Sequence, residues 1–197
     1  MSNLKEEQLS DQRLVTAVLN GDCHAFGSII KKTEGLVAQM TFKMISSPGD
    51  RKDIAQDVYL KAFKNLRGFK FKSKLSTWIG QIAYNTCLHY LEKKKLMLID
   101  NFGEDGEIPE NNFNKDVRND IEDTLFSTEL ADILHTEIEQ LKPLYNTLIS
   151  LYHQEELSYA EIAQITSLPE GTVKNYIFRA RKTLKENILL KYKRNEL

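Results

Sequence analysis

The segment from Asn101 to Asn119, NFGEDGEIPENNFNKDVRN, constrains this chain more than any other stretch. It is rich in Asn, Asp, Glu and Gly, contains Pro109 and has few apolar residues, so it cannot bury enough surface to order itself. It reads as a flexible connector over 98–127 between two domains at 1–97 and 128–197. A length of 197 residues suits one or two domains, each able to bury a core. No internal repeat and no long alternating pattern is present, and both halves carry helical periodicity. The predicted fold class is all-α: two small helical domains joined by a flexible acidic linker.

Net charge at first argues against a nucleic-acid partner, because 27 Lys and Arg face 28 Asp and Glu. The charge is nevertheless sorted: residues 61–95 carry +8, 100–139 carry −11 and 158–197 carry +4. Two basic regions flank an acidic spacer, a pattern that fits either solvated helix faces or two anion-binding surfaces. The longest uncharged run, Leu75 to Leu91, has 17 residues and is too short and too polar to span a bilayer. Met1 to Glu7 lacks a basic start leading into an apolar stretch, so no signal peptide is expected. Cys23 and Cys87 form no CxxC, which fits reduced thiols and a cytoplasmic location.

In the first domain the spacing predicts helices over Asp11–Leu19, Cys23–Lys32, Gly35–Ile45 and Arg51–Leu66, with Ser46-Ser47-Pro48-Gly49 as a stop signal. The last of these places Ile54, Ala55, Val58, Ala62, Phe63 and Leu66 toward a core. Asp50, Asp53 and Asp57 lie on its other face near Gln56 and Lys61, as a solvated acidic stripe or a docking surface. The following GFKFKSK interleaves Phe69 and Phe71 with Lys70, Lys72 and Lys74. Aromatics among lysines can stack bases while the ammonium groups neutralise phosphates, or the rings can anchor the loop in the core. Leu75 to Lys95 then reads as one helix, burying Leu75, Trp78, Ile79, Ile82, Ala83, Thr86 and Tyr90. Gln81, Asn85, His89 and Lys93 recur at i+4 and line one polar stripe able to address base edges.

In the second domain Glu129 to Leu141 is amphipathic, with Leu130, Ile133, Leu134, Ile138 and Leu141 as its apolar edge, and Pro143 opens a further helix. Ser158-Tyr159-Ala160-Glu161 has capping-box form and starts a short helix. Thr166-Ser167-Leu168 is a tight connection, and Pro169-Glu170 suits the first turn of a longer basic helix. A short helix, a tight turn and a basic helix make a helix-turn-helix. Ala163 is small where the two helices approach, and Leu168, Val173 and Ile177 can pack inward. Thr172, Lys174, Asn175, Phe178, Arg179 and Lys182 remain for the outer face of the last helix.

The stretches DIAQDVYLKAFKNL (53–66), LSTWIGQIAYNTCLHYL (75–91) and LSYAEIAQITSLPEGTVKNYIFRARKTLK (157–185) together resemble the sigma-70 family of bacterial transcription initiation factors, in its short extracytoplasmic-function (ECF) group. The resemblance covers nearly everything outside the linker. It implies a factor that binds core RNA polymerase and directs it to promoters, is not itself an enzyme, and needs no cofactor, metal or small-molecule substrate. Asp50, Asp53, Gln56, Asp57 and Lys61 would dock on the clamp helices of the largest polymerase subunit, with the flap as a further contact. Phe69, Lys70, Lys72, Lys74, Gln81, Asn85, His89 and Lys93 would capture the minus-ten element as separated strand. Thr172, Lys174, Asn175, Phe178, Arg179 and Lys182 would address the minus-thirty-five element as duplex. Members of the group are commonly held inactive by an anti-sigma factor. His89 stands where many members carry Asp, Glu92 where a basic residue is common, and Ser167 in a turn often given to Gly.

Two other readings compete. A helix-turn-helix regulator acting without polymerase would use residues 1–97 for sensing or dimerisation and bind duplex on its own. An enzyme is disfavoured, because His24, His89, His135 and His153 are scattered and no HExxH, Walker loop or GxSxG occurs.

Overall fold

The computed structural model describes residues 2–102 and 133–195. Among these residues all regular structure is helical. Helix α1 (Ser2–Leu19) ends at Gly21, whose φ of +98° belongs to the region that glycine enters without strain. Asp22 then caps α2, its carboxylate accepting from the His24 N–H at 2.8 Å and the Ala25 N–H at 3.2 Å.

Where the sequence suggests two helices, Cys23–Lys32 and Gly35–Ile45, the chain forms one: α2 (Cys23–Met44). Ala25, Ile29, Thr33, Leu36, Val37, Met40 and Met44 make a continuous buried stripe through the expected break. Thr33 returns its hydroxyl to the Ile29 carbonyl at 2.9 Å, and Gly35 faces solvent. Burial of that stripe outweighs the roughly 1 kcal/mol that a helical glycine costs.

Ser47 and Pro48, expected to lie in a stop, instead begin α3 (Pro48–Asn65), with Pro48 in its first turn. A 3-10 turn (Leu66–Gly68) leads into the loop before α4 (Leu75–Phe102). That helix continues past Lys95 through the good helix formers Leu96 to Ile99, so 98–102, expected as linker, is helical. The rest of the acidic linker lies outside the described residues.

The second unit has a helical segment over 133–139 (α5), then α6 (Pro143–His153), α7 (Tyr159–Thr166) and α8 (Glu170–Asn195). The part of the amphipathic helix expected before residue 133 is outside the described residues. Leu134, expected in the core, is 41% exposed, whereas Glu137 is buried and paired with Lys191 of α8. A lysine supplied by a neighbouring helix is what makes a buried carboxylate tolerable there. Ser158 and Glu161 form the expected reciprocal cap of α7, with the Ser158 N–H donating to Glu161 Oε2 at 2.9 Å.

The two units do not stand apart. One contiguous core runs from Ile29, Val37 and Met40 of α2 through Val58, Leu75, Ile79 and Ala83 to Leu148, Ile162, Ile165, Val173 and Ile177 of the second unit. The meeting point is Gly80 of α4, where an added Cβ would lie 3.1 Å from the Ile165 side chain and 3.2 Å from that of Leu36. No helix among the described residues is long and apolar enough to cross a membrane.

Candidate nucleic-acid interface

The loop between the 3-10 turn and α4 is tied down at its start. Phe69 is buried, its ring 4.7 Å from that of Phe71 and 5.1 Å from that of Trp78. Of the two readings of this residue, core anchor is the one that holds. Phe71 is half-buried and left-handed at φ +55°, a strained conformation for a bulky side chain. Lys70 and Lys72 are exposed, while Lys74 pairs with Glu161 of α7 at 3.1 Å. Along α4, Gln81 is half-buried and Asn85, His89 and Lys93 are exposed, so the i+4 stripe faces outward from the loop toward Lys93.

Loop and stripe meet at a cleft of about 500 Å³. One wall is Phe69, Lys70, Lys72, Thr77, Trp78 and Gln81; the facing wall is Ala163, Gln164 and Ser167, from α7 and its turn. Ala163, expected only to ease the approach of the last two helices, thus also lines the cleft opposite α4. Thr77 Oγ1 is buried and has no hydrogen-bond partner among the described residues. An open cleft of this size with lysines and an indole along its wall is chemically suited to a flat group attached to an anion.

Helix α3 divides its polar residues. Asp50 accepts from the Tyr90 hydroxyl at 2.5 Å, and this bond, with help from Ser47, holds its carboxyl below the usual range. Burial, and then the Asp50 carboxylate, push the Tyr90 phenol up to about 12. Lys61 donates to Thr86 Oγ1 at 3.2 Å. Asp50 and Lys61 therefore fasten α3 to α4, while Asp53, Gln56 and Asp57 are exposed.

The exposed stripe of α3 continues through residues that sequence reasoning missed. Leu60 is 56% exposed, and Phe63, expected on the buried face, is 50% exposed with its ring edge-on to Phe26 at 5.0 Å. Ala62 takes the buried position beside Val58, which turns Phe63 outward. The available signal was positional: Leu60 and Phe63 follow Gln56 and Asp57 at helical spacing, on the side already marked polar.

In the helix-turn-helix, Val173 and Ile177 are buried and Leu168 half-buried, as expected. Ser167 carries the turn at φ 57°, ψ 24°, the left-handed cap that a glycine makes at lower cost. Lys174, Asn175, Phe178, Arg179 and Lys182 are exposed on α8, Phe178 by 68%, and Thr172 is half-buried. Lys174 also pairs with Glu170 at 2.7 Å. Beside this face, Tyr152 stacks on Tyr159 at 4.8 Å and Arg181 lies 5.0 Å over Tyr152. The Arg181 guanidinium donates to His153 Nε2 at 3.2 Å, and burial together with that cation keeps the imidazole below its ordinary value. No three His, Cys, Asp or Glu among the described residues converge as metal ligands.

Thus one half of the chain carries an acidic and apolar helix stripe, a lysine loop and a polar helix face, the other carries an exposed basic helix face, and a cleft lies between the loop and α7. Residues 29–96 match the family described as Sigma-70 region 2, and residues 131–184 match Sigma-70, region 4. The ECF RNA polymerase sigma-E factor of Haemophilus influenzae is 34% identical over 190 residues, covering 92% of this chain and 97% of that one. The ECF RNA polymerase sigma factor SigW of Bacillus subtilis is 30% identical, covering 90% and 96%. The solved structure of the sigma factor RpoE with the anti-sigma factor NepR from Bartonella quintana shares the fold, with a TM-score of 0.65 at 22% identity over 84% of this chain and 96% of that one. With both halves of the chain matched in order and curated relatives aligned along nearly its whole length, this protein belongs to the ECF group of the sigma-70 family of RNA polymerase sigma factors.

Proposed function

We propose that this chain is a bacterial transcription initiation factor that binds core RNA polymerase and reads promoters at two places with two different surfaces. The observation that carries the reading is the pairing of an exposed lysine loop and polar α4 stripe in one unit with an exposed basic α8 face in the other. A separated strand offers bases that a cleft can hold, whereas a duplex offers a major groove that a helix can enter. Lys70, Lys72, Gln81, Asn85, His89 and Lys93 are then the minus-ten contacts, with Phe69 supporting the loop from within. Lys174, Asn175, Phe178, Arg179 and Lys182 address the minus-thirty-five duplex, with Thr172 at their edge. Asp53, Gln56, Asp57, Leu60 and Phe63 form the surface that docks on polymerase.

Nucleotide chemistry belongs to the polymerase, and the chain acts in the cytoplasm, where polymerase and chromosome are. An anti-sigma partner joins this reading because the Bartonella RpoE was solved with one. A helix-turn-helix regulator acting without polymerase is not favoured, since it leaves the match over 29–96 without a purpose.

The test is transcription in vitro from genomic DNA with core enzyme, with and without the chain. The expected result is a defined set of new start sites that requires both components. Tight, sequence-specific duplex binding by the chain alone, with no binding to core enzyme, would establish the regulator instead.

A further inference from the structure

We propose that Asp11, in α1, is a positioning residue for strand capture: it caps α4 from outside and so fixes where the lysine loop joins that helix. The proposal rests on the reading that residues 69–74 hold the separated strand.

The first N–H groups of a helix lack partners inside it, and a nearby side-chain acceptor usually supplies one. Lys74, the residue before α4, has no acceptor in its side chain. Asp11 fills the role from 64 residues away: its Oδ2 accepts from the Leu75 N–H at 3.0 Å. Its Oδ1 pairs with Lys32 of α2 at 2.7 Å. The Asp11 residue is only 2% exposed and Leu75 is fully buried, so this is an interior joint with no water to replace it. A carboxylate there also suits the positive end of the α4 dipole. Burying a charge is costly unless it is paired and hydrogen-bonded, and Asp11 is both.

The loop therefore hangs between two anchors. At its start Phe69 is held by the core and by the Trp78 ring; at its end Leu75 is held by Asp11. Lys70 and Lys72 project between them, and Phe71 takes its left-handed conformation in the span. Asp11 is not among the residues lining the cleft. Its effect on DNA passes through Leu75, which sets the register of Thr77, Trp78 and Gln81 along the cleft wall. Without the cap the first turn of α4 is free to fray, the strand-competent loop is less populated, and apparent strand affinity falls in proportion.

The experiment uses holoenzyme assembled from core polymerase and the full chain. Its probe is a fluorescent single-stranded oligonucleotide carrying the minus-ten region of a promoter that this holoenzyme transcribes. Core affinity and binding of the minus-thirty-five duplex are measured in parallel. Asp11→Ala is expected to weaken strand binding about fivefold, the loss of a typical cap, while core and duplex affinity stay as in the parent. Asp11→Asn keeps an oxygen for the Leu75 N–H but loses the ion pair, so it should retain strand affinity at reduced thermal stability. Parental strand binding by Asp11→Ala, equal weakening by Asn and Ala, or a parallel loss of all three affinities each overturns the proposal. Lys72→Ala separates the two levels of inference. If it weakens strand binding and Asp11→Ala does not, only the role of Asp11 fails; if it has no effect, the strand-capture reading fails and the proposal with it.

Discussion

The side chain of Ile165, in the first helix of the helix-turn-helix, lies directly over Gly80 in the second turn of α4, and a Cβ at Gly80 would sit 3.1 Å from it. Two residues 85 positions apart in the sequence thus decide how closely the two halves approach. Because α7 is also the facing wall of the cleft, their contact determines how far that cleft is open.

Gly80→Leu should act as a wedge. Within α4 the change favours the helix by up to about 1 kcal/mol, so α4 itself keeps its helical form. At the contact, a leucine has no room against Ile165 and Leu36. The expected outcome is a larger radius of gyration by X-ray scattering and red-shifted emission from Trp78, the single tryptophan, which lines the cleft. Unchanged scattering and emission would mean that the packing adjusts around the leucine.

Lys74 and Glu161 form a second tie across the same contact, at 3.1 Å. Burial opposes ionisation of Glu161, yet bonds from Ser158 and the Lys74 ammonium outweigh it and hold the carboxyl below its ordinary 4.5. A carboxyl depressed by folding stabilises the folded form above its unfolded value, and that contribution is lost as pH falls through the folded one. Acid should therefore loosen the α4–α7 contact below about pH 4.5. Glu161→Gln keeps the capping box but removes the ion pair, so hydrogen exchange at residues 161–167 should lose much of this pH dependence. The change at neutral pH should be small, since a part-exposed ion pair contributes about 1 kcal/mol or less.

How much of this was readable beforehand follows from the range of each signal. The capping box of Ser158 and Glu161, the Pro169-Glu170 start and the inward Val173 and Ile177 are local patterns, and they located the helix-turn-helix. The i+4 series through Asn85 is equally local and located the polar stripe. The fusion of α2 was hidden because Gly35 reads as a breaker, while the stripe that overrides it gains its energy from α1, α3 and α4. Phe63 was misplaced because residue type suggested burial, whereas Ala62 takes that position. Gly80 with Ile165, and Asp11 with Leu75, carry no local signature, since each member is ordinary in its own helix.

The exposed stripe of α3 offers a direct test of docking. Asp53→Lys with Asp57→Lys should abolish core binding while leaving the helical circular-dichroism spectrum and melting temperature near those of the parent, because neither side chain is buried. Leu60→Asp should weaken core binding for a different reason, the loss of an apolar contact, and should do so at high salt as well. Normal holoenzyme formation by both variants would remove α3 from the docking surface.

Ser167 is the least demanding site to improve. Its left-handed conformation is costly for any residue with a Cβ, so Ser167→Gly should stabilise the chain by roughly 1 kcal/mol in thermal or urea unfolding. The exposed face of α8 is untouched by the change, so duplex affinity should not move. Destabilisation instead would indicate that the Ser167 side chain supports the turn.

The contiguous core has a consequence for how the protein comes apart. Domains joined only through a tether melt as independent bodies, each with its own enthalpy and midpoint. Here Leu36, Ile79 and Ile165 belong to one packed cluster, so neither half can lose its order without exposing apolar surface on the other. Heat should therefore meet a single cooperative unit, with one calorimetric peak whose enthalpy reflects both halves. A core substitution in either half then lowers the stability of the whole.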